Sequence, residues 1–194
     1  VLALQDGTNN LGTASFNFFL GTFSSVSATN TNSASITIRD TNSATPYPST
    51  INVSGRTGTI SKVTVTIPAF SHTYPGDVNM VLVAPNGKKV ALMGGVGGGT
   101  DAVSAALTFD DAGSGPIGTS VASGTYQPSG TVATMPTGAP VGPYASTLAE
   151  FNGDSANGIW SLYVSDKAGG DTGTMAQGWR IAITTGQWTA LGVN

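Results

Sequence analysis

Two segments near the carboxyl end of the chain, within residues 157–183, alternate apolar and polar residues with a period of two. Because successive side chains of a β-strand point to opposite faces, this alternation predicts two strands, each with one buried face. The apolar positions are Trp160, Leu162 and Val164 on the first segment and Trp179, Ile181 and Ile183 on the second. Trp160 and Trp179 have the largest of these side chains, and we expect both to fill the core.

Strand patterns recur along the chain, and no segment has a convincing helical period. Residues 78–84 are apolar at nearly every position, which is typical of a central strand buried on both faces. Pro85, Asn86 and Gly87 then predict a hairpin turn into the next strand. The strands that we predict before residue 157 cover 15–20, 35–39, 49–53, 60–67, 78–84, 88–93 and 105–109. Many short strands separated by Gly and Pro indicate an all-β fold, and we predict a jelly-roll-like β-sandwich of short antiparallel strands.

Polar stretches between the predicted strands suggest how the chain is organised. Residues 24–35 are almost all Ser, Thr, Asn and Ala, which predicts a loop or linker. We therefore assign residues 1–50 to an N-terminal strand and polar linker, 51–185 to the β-sandwich domain, and 186–194 to a C-terminal tail. Residues 112–146 are rich in Gly, Pro, Ser and Thr, and a loop of this length is either functional or packed by its own side chains.

The composition excludes several classes of function. Charged residues make up 9% of the chain, and its formal net charge of −3 offers no basic surface for a nucleic-acid backbone. The chain has no cysteine, which excludes disulfides and thiolate metal sites. No apolar run is long enough to predict a membrane span. The Gly-, Asn- and Thr-rich composition is typical of secreted or cell-surface proteins, and we expect that location.

The sequence gives little support for an enzyme. His72 is the only histidine, so any serine triad must use it, and no nucleophile elbow accompanies it. We expect His72 to end a strand or lie in a loop and to hydrogen-bond locally. A zinc site would need nitrogen or sulfur ligands that such a chain lacks, so we expect none. A glycosidase pair is disfavoured because Glu150 is the only glutamate.

Acidic residues are concentrated in one part of the chain. Seven of the ten lie between residues 101 and 171, several of them in loops rich in Gly or Asn. Calcium takes six to eight oxygen ligands from carboxylates, amides and backbone carbonyls, all of which such loops supply. Asp also caps turns through its own backbone, and the sequence leaves both interpretations open.

Several ordered motifs resemble the P domain, also called the homo B domain, of kexin- and furin-like proprotein convertases in its secreted bacterial form. The matching segments are ISKVTVTI at 60–67, SHTYPGDVNMVLVAPNGKKVALM at 71–93, LTFDDAG at 107–113, LAEFNGDSANGIWSLYVSD at 148–166 and GDTGTMAQGWRIAI at 170–183.

The resemblance implies a non-catalytic accessory domain of a larger secreted protein, such as a subtilisin-like protease, that packs on the catalytic domain and stabilises it. It also implies calcium as a cofactor and Asp77 as a structural carboxylate at the start of a strand. The calcium ligands that it suggests are Asp110, Asp111, Asp154, Asp166 and Asp171.

A second hypothesis is a cell-surface adhesin or a fibre-forming structural subunit. The apolar segment 15–20 precedes the polar stretch 24–35, and an apolar strand on a flexible tether can add to the open sheet edge of a neighbouring subunit. The partners would then be neighbouring subunits instead of a catalytic domain.

Overall fold

A computed structural model describes residues 2–14 and 21–191, and these residues form an all-β structure with two short 3-10 helices. The strands are β1 (Leu2–Asp6), β2 (Asn9–Ala14), β3 (Gly21–Asn32), β4 (Ile36–Ile38), β5 (Ser49–Val53), β6 (Thr59–His72), β7 (Val78–Val83), β8 (Lys89–Met93), β9 (Ala102–Phe109), β10 (Gly124–Tyr126), β11 (Gly158–Asp166), β12 (Gly173–Met175) and β13 (Trp179–Ala190). The 3-10 helices cover Pro75–Asp77 and Leu148–Phe151.

The larger sheet has seven strands and is organised around β6. On one side β6 pairs with β9, which carries β10 at its other edge. On the other side the first part of β6 pairs with β13 and its last residues pair with β12. Strand β3 then extends the sheet beyond β13, and β4 extends it beyond β12.

The smaller of the two sheets that form the sandwich has four strands in the order β5-β11-β7-β8, and β1 and β2 form a separate two-stranded sheet. Strand β7 is buried at every residue, as the apolar run at 78–84 predicts. Residues of the long loop 112–146 run along β8, where the Ser129 N–H donates to the Leu92 carbonyl and the Ala145 N–H donates to the Lys89 carbonyl. This loop is therefore held by the sheet that it covers.

One hydrophobic core lies between the two sheets and contains side chains from both. Trp160 comes from the smaller sheet and Trp179 from the larger one, and both are fully buried. The Phe151 and Trp160 rings meet edge to face, 5.0 Å apart. The alternation that predicts the strands thus also supplies the apolar layer that joins the sheets.

The prediction of a linker at residues 24–35 is wrong, because most of that stretch belongs to β3. Residues 21–32 pair with β13 along its whole length. Most β3 side chains are exposed, so the strand needs no apolar alternation and is held by backbone hydrogen bonds to its neighbour. The polar tether on which the fibre hypothesis rested is therefore a strand of the sheet, and segment 15–20 lies outside the described residues.

Candidate metal centre

His72, Asp166 and Asp171 meet at one end of the sandwich. His72 is the last residue of β6 in the larger sheet, and Asp166 is the last residue of β11 in the smaller sheet. Asp171 lies in the connection from β11 to β12. One ligand atom from each of the three side chains lies within 4.8 Å of the others, and theirs is the one such acidic or histidine group among the described residues.

A strand irregularity turns His72 toward the core. Val63, Val65 and Ile67 are buried on β6, and unbroken alternation would point residue 72 to the other face. The register of β6 against β9 shifts between Ile67 and Phe70, after Pro68, which cannot donate to a strand ladder. Beyond the shift, Phe70 and His72 are the buried residues.

Asp166 reaches the same place without any irregularity. It lies on the same buried face of β11 as Trp160, Leu162 and Val164, two residues beyond the last of them, and it is only 3% exposed. Its Oδ1 accepts a hydrogen bond of 2.9 Å from the Ala168 N–H, which leaves Oδ2 directed at the histidine. The apolar pattern of β11 therefore carries a carboxylate into the interior.

The connection from β11 to β12 brings Asp171 to the other side of the ring. Gly173 pairs with His72 across β12 and β6, and the Thr73 N–H donates to the Thr172 carbonyl. The Thr172 N–H donates in return to the Thr73 hydroxyl at 3.3 Å. These contacts fix the backbone beside Asp171, whose side chain is 8% exposed.

The two ring nitrogens of His72 each face a carboxylate at a distance too long for a good hydrogen bond. Nε2 lies 3.4 Å from Asp166 Oδ2, and Nδ1 lies 3.5 Å from Asp171 Oδ1. His72 Nε2, Asp166 Oδ2 and Asp171 Oδ1 are all buried without a hydrogen-bond partner. Nδ1 accepts a hydrogen bond of 3.2 Å from the Tyr74 N–H.

Burial dominates the electrostatics of the cluster. It lowers the pKa of His72, although Asp171, the Tyr74 N–H and Asp77 act in the opposite direction. Burial also raises the pKa of Asp166 to about 6, aided by the nearby Asp171 carboxyl and opposed by the Ala168 N–H. A neutral imidazole and two carboxyl groups are therefore buried together away from water. Buried carboxylates are costly without a partner of opposite charge, and a bound cation supplies one.

The other predicted calcium ligands are engaged elsewhere. Asp110 forms an ion pair with Lys62 at 2.8 Å, and Asp154 forms one with Lys88 at 2.8 Å. Both oxygens of Asp111 accept backbone N–H groups, from residue 148 at 2.7 Å and residue 149 at 2.8 Å. Of the five predicted ligands, the structure brings together only Asp166 and Asp171.

Asp77 has a structural setting near the cluster. It ends the 3-10 helix that leads into β7, and its backbone carbonyl accepts from the Lys167 N–H at 3.0 Å. The Lys167 ammonium lies 3.7 Å from Asp77 Oδ1 and donates to the Gly76 carbonyl at 2.8 Å. These bonds join the 3-10 helix that follows His72 to the residue that follows Asp166.

The cluster suits cation binding better than catalysis. The side chains of His72 and Asp166 are fully buried, so no substrate reaches the imidazole. Three unpartnered polar atoms in one buried cluster form a donor set that a divalent cation can satisfy. The sequence does not identify His72 as a member of the cluster. It does identify Asp166, because an Asp at a buried position of an alternating strand is unusual.

Among the described residues, no helix has the length and apolarity that crossing a membrane requires.

Comparisons with known proteins agree with the motif positions. The sequence profile of the proprotein convertase P-domain matches residues 60–183. The transglutaminase-activating metalloprotease of Streptomyces mobaraensis is 28% identical over 182 residues, which are 94% of this chain and 18% of that protein.

Two solved structures are also similar. The Aeromonas sobria serine protease in complex with its chaperone has a TM-score of 0.45 and 16% identity, over 87% of this chain and 28% of that chain. The serine protease of Aeromonas sobria has a TM-score of 0.37 and 14% identity, over 89% of this chain and 28% of that chain. The chain spans less than a third of the length of each of these relatives.

Proposed function

Because the chain belongs to the proprotein convertase P-domain family, we propose that it is a non-catalytic accessory domain of a larger secreted protease. The observation that carries this proposal is the family match over residues 60–183, which runs from β6 into β13 and leaves out β1 to β5 and the end of β13. A domain of this kind contributes stability to its neighbour by packing against it.

The setting of the only histidine supports a non-catalytic role. A serine triad in this chain must use His72, whose side chain has no exposed surface. Its Nδ1 accepts the Tyr74 N–H, and its Nε2 faces the buried Asp166. A base in this position reaches neither a serine on the surface nor a substrate.

The proposed partner is a proteolytic catalytic domain in the same protein. The Streptomyces relative is a metalloprotease, which supports a protease as the neighbour. The convertase motifs favour a subtilisin-like neighbour, and the Streptomyces relative favours a metalloprotease. We place the protein outside the cell, as the Gly-, Asn- and Thr-rich composition suggests.

We also propose that a bound divalent cation stabilises the domain, and calcium is the ion that the acidic loops predict. Asp166 and Asp171 are the two predicted ligands that lie together. A ligand that binds only the folded domain raises the free energy of unfolding by RT ln(1 + [L]/Kd), and the melting temperature rises with it. Addition of calcium to chelator-treated protein should raise the melting temperature, and an unchanged value would refute the calcium part.

The accessory role is tested in the full-length protein that contains this chain. Deletion of residues 21–190, which removes the strands from β3 to β13, should shorten the half-life of its proteolytic activity on heating, because the catalytic domain loses its packing partner. The isolated domain should hydrolyse no peptide substrate. Equal half-lives with and without the domain, or hydrolysis by the domain alone, would reject the proposal.

A further inference from the structure

We propose that His72, Asp166 and Asp171 bind a first-row divalent metal ion such as Zn²⁺ in preference to Ca²⁺. The inference builds on the proposed cation binding, and it changes both the ligand set and the class of ion. Acidic loops alone predict calcium, whereas the structure adds an imidazole nitrogen to the two carboxylates.

The three donors are held together by the fold, and their facing atoms lack hydrogen-bond partners. Their side chains are 0%, 0% and 8% exposed, and none of the three facing atoms has a hydrogen-bond partner. In native proteins almost all buried polar atoms are paired, so three unpaired atoms at one place require an explanation. A metal ion at their centre pairs all three at once.

The spacing of the donors matches that of ligands on one ion. Zinc binds nitrogen and oxygen at about 2.0–2.2 Å, which separates neighbouring ligands of a tetrahedral site by about 3.4 Å. The 3.4 Å between His72 Nε2 and Asp166 Oδ2 agrees with that value, and Asp171 offers an atom within 4.8 Å of the ligand atoms of the other two residues. Because Asp171 Oδ1 faces Nδ1, its side chain must turn toward Nε2 to complete the site.

The chemistry and number of the donors favour zinc over calcium. Imidazole is a common ligand of zinc and its neighbours in the first row, whereas calcium selects oxygen. Calcium also takes six to eight ligands. Three side chains and one water complete a four-coordinate zinc shell, whereas the same three side chains supply at most half of a calcium shell.

Metal binding also defines where the imidazole proton goes. In the metal-free ring Nδ1 accepts from the Tyr74 N–H, which places the proton on Nε2. Coordination through Nε2 displaces that proton to Nδ1, on the side of the ring that Asp171 borders. The hydrogen bond from Tyr74 is lost in exchange.

Because His72 is the only histidine, nitrogen NMR reports on the site without any substitution. In chelator-treated protein labelled with ¹⁵N-histidine, one equivalent of Zn²⁺ should shift the Nε2 resonance and move the proton to Nδ1. Co²⁺ should give visible absorption bands that Zn²⁺ abolishes. Unchanged histidine resonances with Zn²⁺ would overturn the proposal, even if the melting temperature rises.

Variants test the carboxylates by calorimetric titration with Zn²⁺. Asp166→Asn and Asp171→Asn should each lose on the order of tenfold or more in affinity, because each removes a charged donor. Asp101→Asn removes an exposed carboxylate and should bind Zn²⁺ as the parent does. Equal affinity of all four proteins would overturn the assignment.

Parallel titrations separate this inference from the proposed function. Stabilisation by Ca²⁺ without any response to Zn²⁺ would overturn the metal assignment and leave the calcium proposal standing. Stabilisation by Zn²⁺ but not by Ca²⁺ would support the zinc assignment and refute the calcium proposal. A response to neither ion would reject both metal proposals, whereas the accessory role is judged by the separate measurement of protease half-life.

Discussion

Gly173 lies opposite His72 in the pairing of β12 and β6, at a point where the two backbones leave no space for a side chain. A Cβ atom at residue 173 would collide with the His72 ring and with the backbone carbonyl of Ser71. The carbonyl cannot rotate away without breaking the strand pairing. This residue is therefore needed for the approach of β12 to the cluster.

Gly173→Ala should lower the free energy of unfolding by about 1–3 kcal/mol, the usual cost of overpacking a tight site. Gly118→Ala is the matched control, because a Cβ at residue 118 meets no atom within 4 Å. Chemical denaturation of both variants measures the difference. Equal stabilities would contradict the close packing of β12 on β6.

Asp110 links the end of β9 to β6 and gives the fold a dependence on pH. Burial raises its pKa, but the Lys62 ammonium at 2.8 Å and the Ala112 N–H at 3.0 Å outweigh burial, so its pKa is lowered overall. Because the unfolded chain then binds more protons than the native one, this contribution to stability exists above the unfolded pKa near 4 and is lost as pH falls through the native pKa.

Asp110→Asn should therefore lower the free energy of unfolding by about 0.5–1 kcal/mol at neutral pH, as expected for a partly exposed ion pair. The loss should shrink below about pH 4, where the parent carboxylate also becomes protonated. Denaturation at pH 7 and pH 3 measures both values, with Asp101→Asn as the exposed control. An equal loss at the two pH values would argue against the ion pair.

At the scale of elements, β3 shows how a strand can form from a sequence without an apolar face. Its backbone pairs with twelve residues of β13, from Trp179 opposite Asn32 to Ala190 opposite Gly21. Its other edge pairs with no strand among the described residues. Serine, threonine and asparagine suit this solvated position because they expose polar side chains while the backbone stays paired.

Hydrogen exchange distinguishes a strand from a linker at residues 21–32. Amides of β3 that donate to β13 should exchange more slowly than those that face solvent, so protection should alternate along the strand. The loop at residues 118–121, whose amides donate to no group among the described residues, provides the comparison in the same sample. Uniformly fast exchange from residue 24 to residue 32 would contradict the pairing.

The sequence predicts elements whose side chains carry the burial pattern. The alternation in β6 and β11 and the apolar run in β7 identify these strands because their inner faces must be apolar. Strand β3 escapes prediction because pairing with β13 stabilises it through the backbone, which leaves no pattern in the side chains. The pattern of residues within one segment does not show which distant segment will pair with it as a neighbouring strand.

The candidate site is predictable only in part, for a similar reason. Asp166 and Asp171 are identifiable as acidic residues in a turn-rich connection. His72 joins them only because the register shift after Ile67 turns its side chain inward. A bulge changes the face of every residue beyond it, so plain alternation assigns His72 to the wrong side. The geometry that unites the three residues depends on both sheets.

At the scale of the whole molecule, the two sheets are joined by polar bonds as well as by the apolar core. The hydroxyl of Ser49, on β5 of the smaller sheet, accepts from Trp179 Nε1 at 3.0 Å and from Asn32 Nδ2 at 3.3 Å. Trp179 and Asn32 are opposite each other on β13 and β3 of the larger sheet. One buried hydroxyl therefore fixes the relative position of three strands.

Ser49→Ala should destabilise the sandwich by about 1–3 kcal/mol, because it leaves the buried indole N–H of Trp179 without an acceptor. Asn32 keeps its second bond, to the Thr50 carbonyl at 2.9 Å, so the loss should come mainly from the tryptophan. Ser61→Ala, at an exposed serine that bonds the Thr184 carbonyl, is the control and should change stability by less than about 0.5 kcal/mol. If the two variants unfold at the same denaturant concentration, the Ser49 hydroxyl does not hold the sheets together, and the apolar core alone sets their alignment.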